Sequence, residues 1–264
     1  MPEGDTILRA ARALHAALAG RRLTAFESRL VAVAAAAARL RIVGQAIEQV
    51  TARGKHLLFV FEGGAVLHTH QGMRGSWRLQ AAAAPRGRTP AVAVLETPEV
   101  VALCHHAPVV ELLPPRAVRS HPALSLLGPD LLAPDFDALA ARRRLRACAR
   151  PTIGEALLDQ TVMCGIGNVY KSEVLFLCRV PPTAAPTALD DATLDRLIAT
   201  ARRLLQRNLG PGPRRTTSPL APTRLHVYRR AGEPCRDCGA RILRIVQGEQ
   251  ARSTWFCPSC QRPG

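Results

Sequence analysis

The sequence predicts an α+β protein in which an N-terminal helix and a β-sandwich precede a helical region and a small cysteine-bearing module. Three observations predict it. A helical apolar period at the start gives way to eight short apolar or alternating runs punctuated by Gly, Pro or charge. Near Pro114 this pattern stops and helical spacing takes over. Two Cys-x2-Cys pairs then stand within residues 225–264.

The elements follow in order. Residues 5–19 read as an amphipathic helix, because Ile7, Leu8, Ala11, Leu14 and Leu18 recur on one face. Asp5 can cap its start and Gly20 can end it. Strands are expected at Leu23–Leu30, Ile47–Thr51, Leu57–Phe61, Ala65–His70, Trp77–Leu79, Ala91–Leu95, Val100–Leu103 and Val109–Leu112, with a loop over Ala81–Pro90. So many short strands at this spacing suggest a sandwich. Residues 115–134 hold four more prolines and read as a linker between a first domain (1–114) and a helical domain (135–224). Helices are expected at 135–149, 154–162, 169–178 and 188–208, and a Pro- and Gly-rich loop at 209–223. Residues 225–264 form the last module.

The composition excludes several classes. Hydrophobic residues make up 47% of the 264, so real cores can be buried, but no run of 18 apolar residues exists to cross a membrane. The acidic start (Glu3, Asp5) lacks the basic and apolar regions of a signal peptide, which points to the cytosol. The formal net charge is +16. Such a charge suits a polyanion, and nucleic acid is the commonest. Only two lysines occur, Lys55 and Lys171, so arginine supplies nearly all the positive charge. A GC-rich genome accounts for arginine over lysine, but not for the net excess.

Cys235, Cys238, Cys257 and Cys260 have the spacing of a structural zinc site, with 18 residues between the pairs. The intervening segment suits a hairpin. Four thiolates leave no open coordination position, so one structural Zn2+ is expected to hold a loop too small to fold unaided. Cys104, Cys148, Cys164 and Cys178 stand among apolar neighbours and read as buried thiols.

Gly165-Ile166-Gly167-Asn168 lies between two helical patterns, a helix–turn–helix with glycine in the turn. The second helix begins near Asn168, and its N-terminal N–H groups can hold a phosphate, with the Asn side chain adding a donor. An ordinary helix hairpin with a glycine C-cap has the same pattern.

The chain starts Met1-Pro2-Glu3-Gly4-Asp5. A small second residue normally allows removal of the initiator Met, which would expose a secondary amine. Its attack on an aldehyde-level carbon gives an iminium that is charged without protonation, an electron sink like a lysine Schiff base. Glu3 beside it can shuttle protons. On composition alone, Pro2 is simply a helix lead-in.

The start "MPEGDT", the runs "RGKHLLF", "HQGMRGSW", "APVVELL" and "LGPDLL", then "LLDQ…GIGNVYKSEVLF" and "ARSTWFCPSCQ", occur in this order along the whole chain. Together they closely resemble the formamidopyrimidine-DNA glycosylase / endonuclease VIII family, most of all its actinobacterial endonuclease VIII branch. The resemblance implies a helix–two-turn–helix domain and a four-cysteine zinc finger behind the sandwich. It implies a monomeric bifunctional glycosylase and abasic-site lyase of base-excision repair acting on damaged DNA, duplex or, as the alternative, single-stranded, in a basic cleft between its halves. By branch, oxidised pyrimidines are the expected lesions, processed by β,δ-elimination.

The resemblance also implies residue roles. Pro2 matches the nucleophile that attacks C1′, and Glu3 the acid/base that assists ring opening and base loss. Lys55 matches a lysine that holds a phosphate beside the lesion, Asn168 the helix–two-turn–helix phosphate ligand, and Arg252 the finger arginine that grips phosphate bidentately. Met73 matches a residue that fills the void of the flipped base; a core methionine is the other reading. Arg74 either joins the void-filling group or touches the backbone. Where the formamidopyrimidine branch carries an Arg-Phe wedge, this chain reads Cys104-His105-His106-Ala107-Pro108, so reading of the opposite base does not carry over. His105 and His106 are expected on an exposed loop, in DNA contact or merely structural. A non-catalytic DNA-binding protein on this scaffold leaves Pro2, Glu3 and Lys55 unexplained. A zinc-ribbon protein of transcription or translation leaves "MPEGDT" and "HQGMRGSW" unexplained.

Overall fold

The computed structural model describes residues 2–262 except 86 and 88, and the chain divides into two compact units, residues 1–126 and 127–264.

The first unit opens with α1 (Gly4–Leu18), which begins one residue before the expected start. Glu3, not Asp5, is the N-cap residue: its carbonyl accepts from the Thr6 and Ile7 N–H groups at 2.9 and 3.0 Å. Asp5 sits in the first turn, where a negative charge favours the helix dipole. Beyond the end of the helix, Gly20 takes a φ of +77°, a conformation that costs glycine nothing. The buried face is Ile7, Ala11, Leu14 and Leu18, the period read in the sequence.

Next come β1 (Ala25–Ser28), α2 (Val31–Leu40), β2 (Ile47–Arg53), β3 (His56–Phe61), β4 (Val66–His70), β5 (Ser76–Ala81), β6 (Ala93–Glu96), β7 (Val100–His105) and β8 (Val109–Leu113). All eight expected strands are present. They form two four-stranded antiparallel sheets, ordered β1-β6-β7-β5 and β2-β3-β4-β8. Alternation sends Leu57, Phe59 and Phe61 of β3, Leu67 of β4, and Ala102 and Cys104 of β7 into one core with α1. Each fully buried Phe there contributes on the order of 1.5–3 kcal/mol. Burial also pushes the Cys104 thiol up to about 12.

Two features depart from expectation. The run VAVAAAAARL forms α2, because alanine has the highest helix propensity and Val33, Ala36 and Ala37 suffice as an inward face. The stretch read as a linker carries α3 (Pro115–Ser120) and α4 (Pro122–Ser125), each opened by a proline at its first turn.

The second unit holds α5 (Ala138–Arg146), α6 (Ile153–Ala156), α7 (Asn168–Leu177) and α8 (Asp191–Arg207). Asp137, Thr152 and Asp190 cap α5, α6 and α8 through their side chains. The helix expected at 154–162 shortens to four residues. Residues 157–167 form turns instead, and Gly165 takes a φ of +111°. Leu145, Leu157, Ile166, Val174, Leu175, Leu197 and Leu204 share the core of this region. Strands β9 (Leu243–Gln247) and β10 (Arg252–Phe256) pair antiparallel as the expected hairpin. Cys164 and Cys178 are buried, whereas Cys148 is half-buried.

Candidate functional site

In the first unit, Pro2 is half-buried directly ahead of α1, and Glu3 is 0% exposed. The position of residue 2 is therefore set by a helix whose apolar face is locked into the core. A two-residue turn between Arg53 and His56, which pair across β2 and β3, carries Lys55. Gly54 in that turn has a φ of +58°, which the first central position of a II′ hairpin turn requires. Lys55 is half-buried.

Met73 and Arg74 lie on the turn between β4 and β5, and both are exposed. At 68% exposure, Met73 is not a core residue. The turn is tightly built. The Gly75 N–H donates to the Gln71 carbonyl at 2.7 Å, and a Cβ at Gly75 would stand 2.3 Å from that carbonyl oxygen. An apolar side chain is thus held outward on a constrained turn.

One expectation is overturned. His105 is not on an exposed loop: β7 runs through it, pairing it with Ser76, and its ring is buried. His106 is exposed, with a φ of +52°.

In the second unit, Asn168 is the first residue of α7. Its side-chain amide donates to the Ser253 carbonyl on β10 at 2.7 Å, and Lys171 Nζ donates to the same oxygen at 3.2 Å. The structure thereby brings Asn168 next to Arg252, the neighbour of Ser253. Arg252 Nε and Nη2 donate to Gln250 Oε1 at 3.2 and 3.0 Å, a neutral acceptor, and among the described residues no carboxylate pairs with the guanidinium. Of the chain's two lysines, Lys171 is fully buried at this junction.

The four finger cysteines converge. Sγ separations are 3.9 Å for Cys235–Cys260, 3.4 Å for Cys238–Cys257 and 3.5 Å for Cys238–Cys260, and all four atoms lie within 4.8 Å of one another. A tetrahedral zinc with Zn–S bonds of about 2.3 Å spaces its sulfurs by about 3.8 Å. The residues fit one structural Zn2+, and Phe176, Val227 and Ile242 pack around Cys235 and Cys257.

Sequence reasoning missed two clusters. Glu173 on α7 is fully buried and accepts the N–H groups of His226, Val227 and Tyr228 at 2.8–2.9 Å, together with the Thr216 hydroxyl. One carboxylate thus organises the segment that leads into the finger. In the first unit, His56, His68, His70, His121 and Glu111 gather on the outer face of the second sheet. Glu111 Oε2 lies 2.9 Å from both His68 Nδ1 and His121 Nε2, and His68 Nε2 lies 2.8 Å from His56 Nδ1. Burial pushes His56 down to about 3, helped by His68, His70, His121 and Lys55. Burial also lowers His68, against the pull of Glu111, and lowers His70. The His-x-His of β4 was the available signal: residues two apart in a strand share a face.

Comparison with known proteins agrees along the whole chain. The N-terminal domain of formamidopyrimidine-DNA glycosylase matches residues 1–106. The H2TH domain of that enzyme matches residues 127–218, and the zinc finger found in FPG and IleRS matches residues 232–263. The chain is 42% identical to the "Probable endonuclease 8 2" of Streptomyces coelicolor, an alignment covering 100% of this chain and 97% of that protein. It is 39% identical to a DNA-(apurinic or apyrimidinic site) lyase of Mycolicibacterium smegmatis, covering 99% of each. Among solved structures, Lactococcus lactis formamidopyrimidine-DNA glycosylase bound to DNA containing an abasic site superposes with a TM-score of 0.82 at 27% identity. That match covers 99% of this chain and 100% of the other.

Proposed function

This chain belongs to the formamidopyrimidine-DNA glycosylase and endonuclease VIII family, and we propose that it performs base-excision repair by attacking C1′ of a damaged nucleotide with the amine of Pro2. It is a DNA glycosylase and abasic-site lyase. The observation that carries the Pro2 reading is the seating of Pro2 at the head of α1, followed in the chain by the fully buried Glu3.

With Met1 removed, the lone pair of the Pro2 nitrogen bonds to C1′ as the glycosidic C–N bond breaks and the base departs with a proton. The sugar ring opens to an iminium, with Glu3 moving the protons. The iminium draws electrons from C2′: loss of a C2′ proton expels the 3′ phosphate. Loss of a C4′ proton then expels the 5′ phosphate. Water hydrolyses the remaining iminium and regenerates Pro2.

Lys55, Asn168 and Arg252 serve as phosphate ligands, consistent with a charge of +16. Met73 enters the stack in place of the extruded base, which suits an apolar side chain held in water by a tight turn. Arg74 contacts the adjacent backbone. The zinc fixes the finger and leaves no coordination position open for chemistry. Chromosomal DNA as substrate sets the work in the bacterial cytosol. Separately, no described helix is long and apolar enough to cross a membrane.

For the lesion, the reading is oxidised pyrimidines. The endonuclease 8 names of the relatives and the missing Arg-Phe wedge at residues 104–108 support it. Duplex and single-stranded oligonucleotides carrying thymine glycol, dihydrouracil, 8-oxoguanine or an abasic site test both levels. The abasic strand should be nicked, and the pyrimidine lesions cleaved faster than 8-oxoguanine. A preference for 8-oxoguanine would refute the pyrimidine assignment alone, and failure to nick abasic DNA would refute the lyase.

A further inference from the structure

Four of the chain's eight histidines, His56, His68, His70 and His121, gather on one face of the second sheet of the first unit. The repair reaction described above uses none of them. We infer that His68, Glu111 and His121 form a second metal centre, a site for one divalent transition metal bound by two imidazole nitrogens and a carboxylate.

The geometry carries this. His68 Nδ1 and His121 Nε2 each lie 2.9 Å from Glu111 Oε2, and the ligand atoms of all three residues lie within 4.8 Å of one another. Zinc bound at about 2.0–2.1 Å in a tetrahedral site spaces its N and O ligands by about 3.3 Å; the two N–O separations of 2.9 Å widen slightly to admit the ion, while the two ring nitrogens already stand within 4.8 Å of each other. Two imidazoles and a carboxylate are also a ligand set that zinc and its neighbours favour.

The ligands are held on three separate elements. His68 on β4 stands directly across from Glu111 on β8 in the antiparallel register. His121 is pinned between α3 and α4: its N–H donates to the Val118 carbonyl, and its own carbonyl accepts from Leu124 and Ser125. His68 is buried, His121 nearly so, and the Glu111 side chain is 44% exposed. The exposed side leaves room for water as a fourth ligand.

A supporting partner is present for His68, whereas His121 Nδ1 is buried without a hydrogen-bond partner among the described residues. Metal-bound histidines donate their second ring N–H to a partner that fixes the ring. With Nδ1 on the metal, His68 carries its proton on Nε2, which lies 2.8 Å from His56 Nδ1. His56 is the first residue of β3, immediately after Lys55. An ion here would tie β4, β8 and the α3–α4 corner together. Through His56 it would also brace the turn that carries Lys55.

Metal content tests this on the full chain. Protein stripped with a chelator is reloaded with Zn2+, freed of excess metal and analysed by atomic emission. The parent should hold two zinc ions per chain, and His121→Gln and Glu111→Gln one each. Loading with Co2+ reports the finger separately. All three proteins should show the intense thiolate-to-cobalt absorption, and only the parent should add weak visible bands without sulfur ligation. One metal in a parent whose cobalt spectrum shows a filled finger would overturn the centre. So would two metals in all three proteins. Circular dichroism confirms that both variants are folded, and Glu111→Gln, nearly isosteric at a half-exposed position, keeps the test decisive if His121→Gln is not.

Discussion

The side-chain amide of Asn168 donates to the Ser253 carbonyl at 2.7 Å, so the first residue of α7 is tied to the strand that presents Arg252. Two residues expected to hold phosphate, 84 positions apart in the chain, are one mechanical unit. Arg252→Ala should weaken DNA binding by about 1–3 kcal/mol and lower the salt dependence by about one unit of slope. Asn168→Ala should weaken binding too, and the double variant should lose less than the sum, because both changes disturb the start of β10. Titrations of a fluorescent abasic duplex at several salt concentrations measure both. Strict additivity, or an unchanged slope for Arg252→Ala, would show that the two act separately from phosphate or from each other.

Glu173 should matter more for stability than for chemistry. Its carboxylate accepts three backbone N–H groups and a hydroxyl in a fully buried setting. Glu173→Gln replaces one acceptor oxygen with an NH2 that faces donors, at a cost of about 2–4 kcal/mol. Urea unfolding should report that loss. A variant as stable as the parent would mean that residues 216–228 hold their course without the carboxylate.

Met73→Ala should slow base excision from intact duplex more than cleavage at a pre-formed abasic site, where less stacking must be broken. Because Met73 is exposed, stability should change by less than about 0.5 kcal/mol. Rates on paired substrates and a melting curve decide this. Equal slowing on both substrates would remove the void-filling role.

Cys238→Ser should lose one zinc per chain and weaken DNA binding while the sandwich of the first unit stays folded. Atomic emission, binding and circular dichroism follow the three effects. A finger without metal in a protein that nicks at the full rate would show the finger to be dispensable.

Much of this was legible in the sequence, for identifiable reasons. The eight strands announce themselves because alternating inward residues such as Leu57, Phe59 and Phe61 repeat with period two between turn formers. The zinc ligands are legible because each Cys-x2-Cys is local. Helix α2 was hidden because VAVAAAAARL has no polar face to give it a helical period. The expected helix at 154–162 failed after Ala156, where the Asp159 and Gln160 side chains take up backbone groups of Thr161, Gly165 and Ile166 in place of helical hydrogen bonds. His105 looked like loop because β7 extends two residues past its apolar run. The histidine cluster left only the His-x-His of β4 as a trace, for a deeper reason. His56, His68, Glu111 and His121 meet only through sheet register and the α3–α4 corner, and no local pattern links positions that far apart.

If the amine of Pro2 is the nucleophile, borohydride traps it on the DNA. Reductant added during turnover on lesion or abasic DNA should reduce the iminium to a stable amine. The protein should then migrate with the DNA strand in a denaturing gel, with the link at residue 2 and Met1 absent by peptide mapping. An uncleaved N-terminal tag should abolish the adduct without changing fold or zinc content, and Glu3→Gln should impair base removal more than cleavage of abasic DNA. An adduct mapping to Lys55 or Lys171, or none from protein with a verified free Pro2, would show that Pro2 is not the nucleophile.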